Sequence, residues 1–442
     1  MHLDCKSISK NGSKTIGVRP MLDPVKYDNH YNKYLKSIST GVYVEGNLTD
    51  LIASEARVVE ELAVLNLIPK SRKISSTSFQ EYYEYSPAFR EYINTHCKEI
   101  VRVHDSVDVP ADFKKSMEVG KVYLYESESR SYYVSLNDAG VVTQRISLGE
   151  KLKKADDFYG TFGPTTIRGD WWAGFYLDMG NVSKEGGVNY DNGKKPVRLI
   201  KQLIEFCTDE DDIILDFFSG SATTAHAVME LCREDGKHRH FIMVQKPENL
   251  DESLLKVNGS EKSSIKQAIK FLDSVHRPHI LSEVGKERIV RSGIKISEEE
   301  GMLNSDVDVG FRVFKLDESN MNNVYYAAGD YTQDMLTMME SNVKSDRTDL
   351  DLLFGCLLEW GLPLSLPYTS ETIEGCTVHT YNDGDLIACF DENVPESVIK
   401  TIAKRQPLRA VFRDSSFANS PEKINVGEIF KLLAPDTRVK VI

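Results

Sequence analysis

The chain has 442 residues, of which 41% are hydrophobic, and a formal net charge of −13 at pH 7. This length and hydrophobic content predict two or three domains with real cores, and no apolar run approaches the length of a membrane-spanning helix. Of the 54 basic and 67 acidic side chains, residues 1–200 carry 27 and 26, which leaves 27 and 41 for residues 201–442. Only the N-terminal half is therefore expected to present a basic face to phosphate.

The cysteines and the N-terminus suggest an intracellular, metal-free protein. The seven cysteines form no CxxC pair. Those at 207, 232, 356 and 389 lie in apolar patterns typical of buried free thiols, so no metal site is expected. No signal-like apolar core is present near the N-terminus, and a cytoplasmic location is expected.

Helical and strand patterns alternate through residues 1–165. Apolar residues recur at three- and four-residue steps over residues 47–67 and again over residues 79–93, which predicts helices. Aromatic and β-branched runs predict short strands at Ile100–Val103, Lys121–Tyr125 and Tyr132–Leu136.

Polar side chains at the edges of these elements suit a module that reads DNA. They either contact phosphates and groove edges or are ordinary solvated residues, and the sequence leaves both interpretations open. The candidate DNA contacts are Lys70, Arg72, Lys73, Ser76, Thr77, Arg90, Lys114 and Lys115.

Two adjacent tryptophans, Trp171 and Trp172, follow this region. Such rings can stack on a base or on an adenine, but they more often seal a junction between domains. After a glycine-rich loop, Pro196 is placed to open a helix that continues to about residue 206.

The stretch from Ile213 to Leu231 reads as a strand, a tight turn and a helix. The apolar run ends at Asp216, small residues follow, and the helical pattern opens at Thr223 and Thr224, which are expected to cap or open the helix. Such a turn directs backbone N–H groups and the positive end of a helix dipole at an anionic group. It therefore predicts a site for a small zwitterionic or nucleotide-like ligand at the carboxyl edge of a parallel sheet.

A second strand, Phe241–Val244, is followed by Gln245 and Glu248. A side chain at this distance beyond the turn is placed to hold a ribose hydroxyl, although Glu248 could equally be a solvated loop residue. The polar run Gly285–Lys295 is interpreted as a segment that leads out of this unit. Residues 386–412 then show a strand, a helix and a second strand, which predicts a separate α/β unit without a catalytic cluster.

These motifs resemble a known family. Asp216–Thr224 is similar to the FxGxG motif of S-adenosylmethionine-dependent DNA methyltransferases, in the form found in the modification (Mod) subunits of type III restriction-modification systems, which are β-type adenine-N6 methyltransferases. Further segments over roughly residues 165–442 also resemble that family, namely Asn192–Lys201, Asp235–Gln245, Gly310–Phe314 and Val411–Phe417.

The resemblance implies an α/β fold with a partial Rossmann-like methyltransferase core. Residues 1–165 would form an α+β target-recognition region, residues 166–290 the S-adenosylmethionine-binding part of the core, and residues 291–442 a C-terminal α/β domain for subunit interaction. The cofactor-binding residues would be Asp216, Phe217, Phe218, Ser219, Gly220, Ser221, Thr223, Thr224, Gln245, Glu248, Lys195 and Pro196. Family members usually carry glycine at the position of Ala222, where a methyl group would cost about 1 kcal/mol if the backbone needs a positive φ.

One expected motif is absent. Family enzymes place a catalytic (D/N)PP(Y/F) tetrapeptide before the recognition region, where it binds the flipped base. No such tetrapeptide occurs in the sequence, and the nearest segment, Asp23–Tyr27, lacks the second proline. The chain is therefore expected to methylate little or no DNA by itself, and no catalytic residue is assigned.

Two functions remain open. The chain is the DNA-recognition and donor-binding portion of a site-specific adenine-N6 methyltransferase, or it is a noncatalytic DNA-binding or assembly subunit. The expected partners are double-stranded DNA, the restriction (Res) helicase-nuclease subunit, and either a second Mod copy or an upstream catalytic fragment.

Overall fold

The computed structural model describes residues 19–127, 131–190, 193–299, 308–322 and 343–442. They belong to two compact units, residues 1–310 and 311–442, and the mixed α/β class predicted from the sequence is confirmed. Within the described residues, no helix is both long enough and apolar enough to span a bilayer. Asn192, at the start of one family-like segment, lies outside the described residues.

Four short helices form the first core of the N-terminal unit. They are α1 (Leu48–Ala53), α2 (Ala56–Val64), α3 (Phe79–Tyr85) and α4 (Pro87–Thr95). The single helix expected over residues 47–67 is interrupted because Glu55 takes an extended conformation and the Ser54 hydroxyl bonds back to the Leu51 carbonyl.

Six antiparallel strands close into a barrel, in the order β2-β3-β5-β6-β7-β4. A closed barrel has no free strand edge, so its backbone hydrogen bonds are satisfied within it. Its interior is filled by small apolar side chains such as Leu35, Val101 and Val122. The strands are β2 (Lys33–Ser39), β3 (Val42–Asn47), β4 (Ile100–Ser106), β5 (Lys121–Glu126), β6 (Ser131–Leu136) and β7 (Val142–Ser147), and the short helix α5 (Ala111–Ser116) lies between β4 and β5.

A small sheet, in the order β1-β9-β8, connects this region to the next helix. Its strands are β1 (Leu22–Pro24), β8 (Leu152–Lys154) and β9 (Phe162–Ile167). Buried Arg168 donates to the Asp23 carboxylate at 2.7 Å. It also donates, at 2.8 Å, to the side chain of Gln202 in that next helix, Val197–Cys207. Trp172 packs edge-on against Phe206, and its neighbour Trp171 is 80% exposed.

The remainder of this unit is a β/α arrangement. Strands β10 (Ile213–Asp216) and β11 (His240–Met243) are parallel and form a two-stranded sheet. The helices α6 (Val197–Cys207) and α7 (Thr223–Asp235) pack on one face of it, with Ile214 and Phe241 against their apolar sides. The helices α8 (Leu250–Lys256), α9 (Gly259–Ser274) and α10 (Leu281–Glu299) follow.

The run Gly285–Lys295 does not lead out of the unit, because it is the middle of α10, which packs against α7. The predicted domain boundary at residue 290 falls inside this helix.

The C-terminal unit is a five-stranded mixed sheet with helices on both faces. The strand order is β12-β13-β14-β15-β16, and β14, β15 and β16 are parallel. The predicted strand-helix-strand pattern is present as β14 (Leu386–Cys389), α12 (Glu396–Lys404) and β15 (Arg409–Phe412). The other elements are α11 (Asp349–Glu359), β12 (Tyr368–Ile373), β13 (Cys376–Tyr381), α13 (Ser420–Leu433) and β16 (Arg438–Val441).

Candidate functional site

The turn between β10 and α7 is organised by the Asp216 carboxylate. One oxygen accepts a 3.2 Å hydrogen bond from the Phe218 amide, and the other accepts a 2.6 Å bond from the Thr224 hydroxyl. The Gly220 amide donates to the side-chain oxygen of Gln245 at 2.7 Å. The end of β10, the turn, the start of α7 and the end of β11 are thus held together by side chains predicted to bind the cofactor.

Two residues of the turn have left-handed backbone conformations. Gly220 has φ 51° and Ala222 has φ 58°. Glycine tolerates this conformation freely, but the Cβ of alanine makes it costly, by about 1 kcal/mol. Ala222 therefore occupies the strained position considered from the sequence, and its methyl group is buried.

Helix α7 begins without a side-chain cap. Its N-cap residue is Ala222, and within the described residues no side chain accepts a hydrogen bond from the first-turn amides. Thr223 and Thr224 open the helix but do not cap it, since their hydroxyls bond to Arg288 and Asp216. The first-turn amides therefore have no side-chain acceptor, and the helix dipole favours an anionic group near them.

Arg288 on α10 supports the turn from behind, a role that sequence analysis missed. Its fully buried guanidinium donates to the Ser221 hydroxyl at 3.1 Å and to the Thr223 hydroxyl at 2.7 Å. Its closest carboxylate is Glu185, at 3.8 Å. Burial dominates this environment and lowers the pKa of Arg288 to about 10, even though acidic neighbours oppose the shift.

Helix α10 also approaches the turn very closely at Gly285. A methyl group placed on Gly285 would lie 3.2 Å from the Gly220 carbonyl oxygen and 3.4 Å from the Ala222 Cβ. A side chain there would be tighter than an ordinary contact, so the close approach of the helix to the turn favours glycine at this point.

His226 and Glu230 lie on α7 behind the turn. His226 Nε2 is 3.0 Å from the Glu230 carboxylate, and its Nδ1 faces the Arg288 guanidinium at 3.3 Å. Because arginine can only donate, Nδ1 accepts and Nε2 carries the proton of a neutral imidazole. Burial lowers the pKa of His226, which agrees with that neutral form. Burial alone would raise the pKa of Glu230, but the His226 hydrogen bond and the Lys201 charge outweigh it and lower the pKa to about 2.

Lys195 and Pro196 immediately precede α6, and Pro196 is the N-cap residue of that helix. The neighbouring Lys194, not predicted from the sequence, is buried and donates to the carbonyls of Ser183, Glu185 and Val188 at 2.8–3.2 Å. This lysine fixes the glycine-rich loop beside the predicted donor site.

The side chains predicted to hold a ribose have partners within the chain. The Gln245 amide oxygen accepts from Gly220, and its nitrogen donates to the Lys246 carbonyl at 3.1 Å. Glu248 is exposed and accepts from the Ser253 hydroxyl at 2.6 Å.

The face of the β10–β11 sheet opposite α6 and α7 is exposed, although its side chains are apolar. Phe218, near the start of the turn, is 89% exposed. We call this surface the open face, and its residues are Ile213, Leu215, Phe217, Phe218, Ile242 and Val244. A parallel sheet is normally buried on both faces, so an apolar face that is exposed in the described part of the chain is unusual.

The candidate DNA contacts fall into three groups. Lys70, Arg72, Lys73, Ser76 and Thr77 lie in the segment between α2 and α3, where the three basic residues are exposed. Lys114 and Lys115 are exposed on α5 beside the barrel, and Lys115 lies 3.2 Å from Asp112. The third group is Arg90 alone, which donates to the carbonyls of Tyr83 and Glu84 at the end of α3 and so has a structural role there.

The segment most similar to the missing tetrapeptide is structural. Asp23 is held by Arg168, and the ring of Tyr27 is buried and stacked on Tyr83 with a centroid distance of 5.3 Å. A ring in that position is not accessible to a base.

Three possible metal donors converge in the C-terminal unit. Donor atoms of Cys376, Cys389 and Asp391 lie within 4.8 Å of one another. Burial raises the pKa of Cys376 and raises that of Cys389 to about 12, which keeps both thiols protonated at neutral pH. Protonated thiols are poor ligands, and three donors are one fewer than structural zinc sites use.

Comparison with known proteins gives matches to DNA methyltransferases. Residues 81–257 match the family model described as DNA methylase. The chain is 34% identical over 148 residues to the StyLTI Mod subunit, from a type III restriction-modification enzyme of Salmonella typhimurium, a match that covers 32% of this chain and 20% of that protein. It is 34% identical over 255 residues to the EcoP15I Mod subunit of Escherichia coli, covering 54% of this chain and 33% of that protein.

A solved structure of the PvuII cytosine-N4-specific DNA methyltransferase matches at 19% identity, covering 30% of this chain and 46% of that one. Its TM-score is 0.13. The matches to the Mod subunits span well under two thirds of those relatives' own length. The family model and the Mod relatives thus support the resemblance to DNA methyltransferases of the type III Mod kind that the motifs around Asp216 predict, over part of this chain.

Proposed function

We propose that this chain is the DNA-recognition and methyl-donor-binding portion of a site-specific, type III-like DNA adenine-N6 methyltransferase. Residues 1–165 read the duplex, and the turn after β10 holds S-adenosylmethionine. The methyl group then passes from the donor's sulfonium to N6 of an adenine flipped out of the helix, and N6 releases a proton.

The residues around the turn fit the donor's polar groups. S-adenosylmethionine carries a carboxylate, an ammonium group and two ribose hydroxyls. The uncapped start of α7 suits the carboxylate, because its amides and helix dipole favour negative charge. Asp216 retains acceptor capacity beyond its bonds to Phe218 and Thr224, since a carboxylate offers about four lone-pair sites, and it suits a hydroxyl or the ammonium group.

The open face is the observation that carries the proposal. Helices cover only one face of β10 and β11, whereas the other face presents the six apolar residues of the open face to water. A polypeptide segment outside this sequence that adds strands and helices there would complete a Rossmann-like core. The same segment would bring a (D/N)PP(Y/F) turn to the carboxyl edge of the sheet, next to Asp216.

On this proposal the chain alone binds the donor but transfers little or no methyl group. The base-binding tetrapeptide comes from that additional segment, on an upstream fragment or a second Mod-like copy. The Res helicase-nuclease subunit is the further partner that we propose, because the relatives are named as subunits of type III restriction-modification enzymes.

The second candidate is a noncatalytic DNA-binding or assembly subunit. The absence of the tetrapeptide favours it, because a chain that lacks the base-binding motif can keep its DNA and subunit contacts. This candidate does not require the donor site to be functional.

Calorimetric titration of the full chain with S-adenosylmethionine tests the first candidate. The substitution Asp216→Asn keeps the shape of the side chain but removes its charge, and we expect donor affinity to fall about tenfold or more. Asp212→Asn is the matched control, because Asp212 is an exposed aspartate just before the opposite end of β10. No binding by the unsubstituted chain at millimolar donor would contradict the donor-binding role and favour the assembly subunit.

A second experiment tests the additional segment. A fragment that carries the upstream catalytic part of a type III Mod subunit is mixed with this chain, and transfer of labelled methyl groups to adenine in duplex DNA is measured. Methyl transfer by the mixture, but by neither component separately, supports the proposal. Leu215→Asp on the open face should abolish that transfer. Activity of the chain without the fragment would refute our assignment of the missing motif.

A further inference from the structure

A cleft lies behind the turn, on the side of α7 away from the sheet. It is bounded by α6, α7 and α10 and by the loop at residues 184–187, and its volume is about 540 Å³. Clefts of this size commonly hold small organic ligands. The residues that line it do not include Asp216 or the turn, although Val197 directly follows the predicted donor residues Lys195 and Pro196.

Basic side chains predominate in its lining. Five basic residues line the cleft, against the two acidic residues Glu185 and Glu230; the five are Lys184, Arg198, Lys201, Arg291 and Lys295. Most of these charges have partners, since Arg198 pairs with Asp178 at 2.7 Å, Lys201 with Glu234 at 2.5 Å and Arg291 with Glu287 at 2.9 Å. Lys184, at the mouth, has no ion-pair partner within the described residues and is exposed.

A buried hydroxyl in the same wall has no hydrogen-bond partner. Ser292 on α10 is 2% exposed and lines the cleft, yet its Oγ bonds to no group in the part of the chain that the structure describes. An unsatisfied buried hydroxyl costs about 1–3 kcal/mol, so such groups normally have a partner. A ligand oxygen would provide one if the Ser292 side chain turned toward the cleft.

The start of α6 adds to this preference for anions. Val197, its first residue, lines the cleft, and its amide donates to the Glu185 carboxylate at 3.1 Å. The helix end thus already attracts an internal anion, as its dipole predicts. Gly186 and Gly187, both with φ 68°, bring the backbone close to the same place.

We infer that this cleft binds a small phosphate-bearing ligand, with its phosphate between Lys184, Ser292 and the basic residues of α10. Phosphate offers several acceptor oxygens at once, which matches a wall of ammonium, guanidinium and hydroxyl donors. The small ligand is preferred over the phosphate backbone of a duplex because three helices and a loop enclose the space.

Calorimetric titration of the full chain with inorganic tripolyphosphate, at constant ionic strength, tests this inference. We expect saturable binding at one site per chain. Ser292→Ala should weaken it about fivefold, and Lys184→Ala about tenfold, as the loss of one neutral or one charge-assisted hydrogen bond predicts. The controls are Ser297→Ala, whose hydroxyl bonds to the Gly293 carbonyl, and Lys286→Ala, whose ammonium pairs with Glu283; neither should change the affinity.

Three results would overturn the inference. The first is the absence of saturable binding at millimolar tripolyphosphate, or binding that Ser292→Ala leaves unchanged. The second is displacement of tripolyphosphate by a short DNA duplex, which would make the cleft a DNA contact. The third is competition with S-adenosylmethionine, which would make it part of the donor site. Independent binding of the two ligands would support a separate site, whether or not the chain methylates DNA.

Discussion

Replacing Arg288 with methionine separates the stability of the fold from the order of the donor-binding turn. Methionine keeps the aliphatic stem of arginine but removes the guanidinium that bonds to Ser221 and Thr223. Arg291, one turn further along α10, is the matched control, because it is half-exposed and pairs with Glu287 at 2.9 Å.

Two terms of opposite sign decide the effect on stability. Burial lowers the pKa of Arg288 from 12.5 to about 10, so at neutral pH the folded state bears a cost of about 3 kcal/mol for the buried charge. Its hydrogen bonds to Ser221, Thr223 and His226 return about 1 kcal/mol each. Removing the guanidinium eliminates both terms, so we expect Arg288→Met to change the free energy of unfolding by less than about 2 kcal/mol.

The effect on donor affinity should be larger than this balance suggests. Ser221 and Thr223 flank the strained Ala222, and the guanidinium is the group that ties them together. Without it, ordering the turn costs binding energy, and we expect S-adenosylmethionine affinity to fall about tenfold, or about 1.4 kcal/mol. Arg291→Met should change neither quantity by more than a surface ion pair does, about 1 kcal/mol or less.

Scanning calorimetry of the three proteins measures stability, and isothermal titration with the donor measures affinity. A large loss of stability with unchanged affinity would refute this reasoning and make Arg288 an ordinary core residue. Unchanged affinity together with unchanged stability would refute it as well, because the turn would then be ordered without Arg288.

Three other substitutions test separate parts of the structure. Ala222→Gly relieves the left-handed strain but loses a buried methyl group, so the free energy of unfolding in urea should change by less than about 1 kcal/mol. The control Ala227→Gly, inside α7, should lower that free energy by about 2 kcal/mol. Equal losses would contradict a strained backbone at Ala222. His226 is neutral in the folded chain and its pKa is lowered, so the unfolded chain takes up more protons and stability should fall as the pH drops below about 6.5. In urea midpoints measured from about pH 8 to pH 5, His226→Gln should remove that part of the slope. An unchanged slope would exclude His226 as its source. Trp172→Ala should lower the melting temperature of the N-terminal unit by several degrees, because the ring packs on Phe206. Trp171→Ala should not, because that ring is 80% exposed. Equal shifts would argue against a sealing role for Trp172.

Local signals in the sequence predicted the β/α unit well. The apolar run to Asp216, the small-residue turn and Pro196 before α6 each depend on neighbours a few residues apart, and the strands and helices lie where those signals place them. Closure of the barrel could not be predicted in the same way, because the pairing of β4 with β2 and β7 joins distant segments.

Helix α10 was misinterpreted for a definite physical reason. Its buried positions include the apolar residues Leu281, Val284, Ile289 and Ile296, but Gly285, Arg288, Ser292 and Gly293 interrupt them. A search for apolar periodicity therefore finds only a polar run. Arg288, which supports the turn, is thus also one of the residues that interrupt the apolar pattern of α10.

The open face has a consequence for how the chain behaves in a cell. A surface that presents Phe217, Phe218 and Leu215 to water invites self-association, and the unpaired strand edges beside it are templates for further strands. If the additional segment that we propose covers this face, copies of the chain that lack it are the ones exposed to aggregation, chaperone capture and proteolysis. Cellular abundance would then follow the supply of that segment, through the six side chains of the open face.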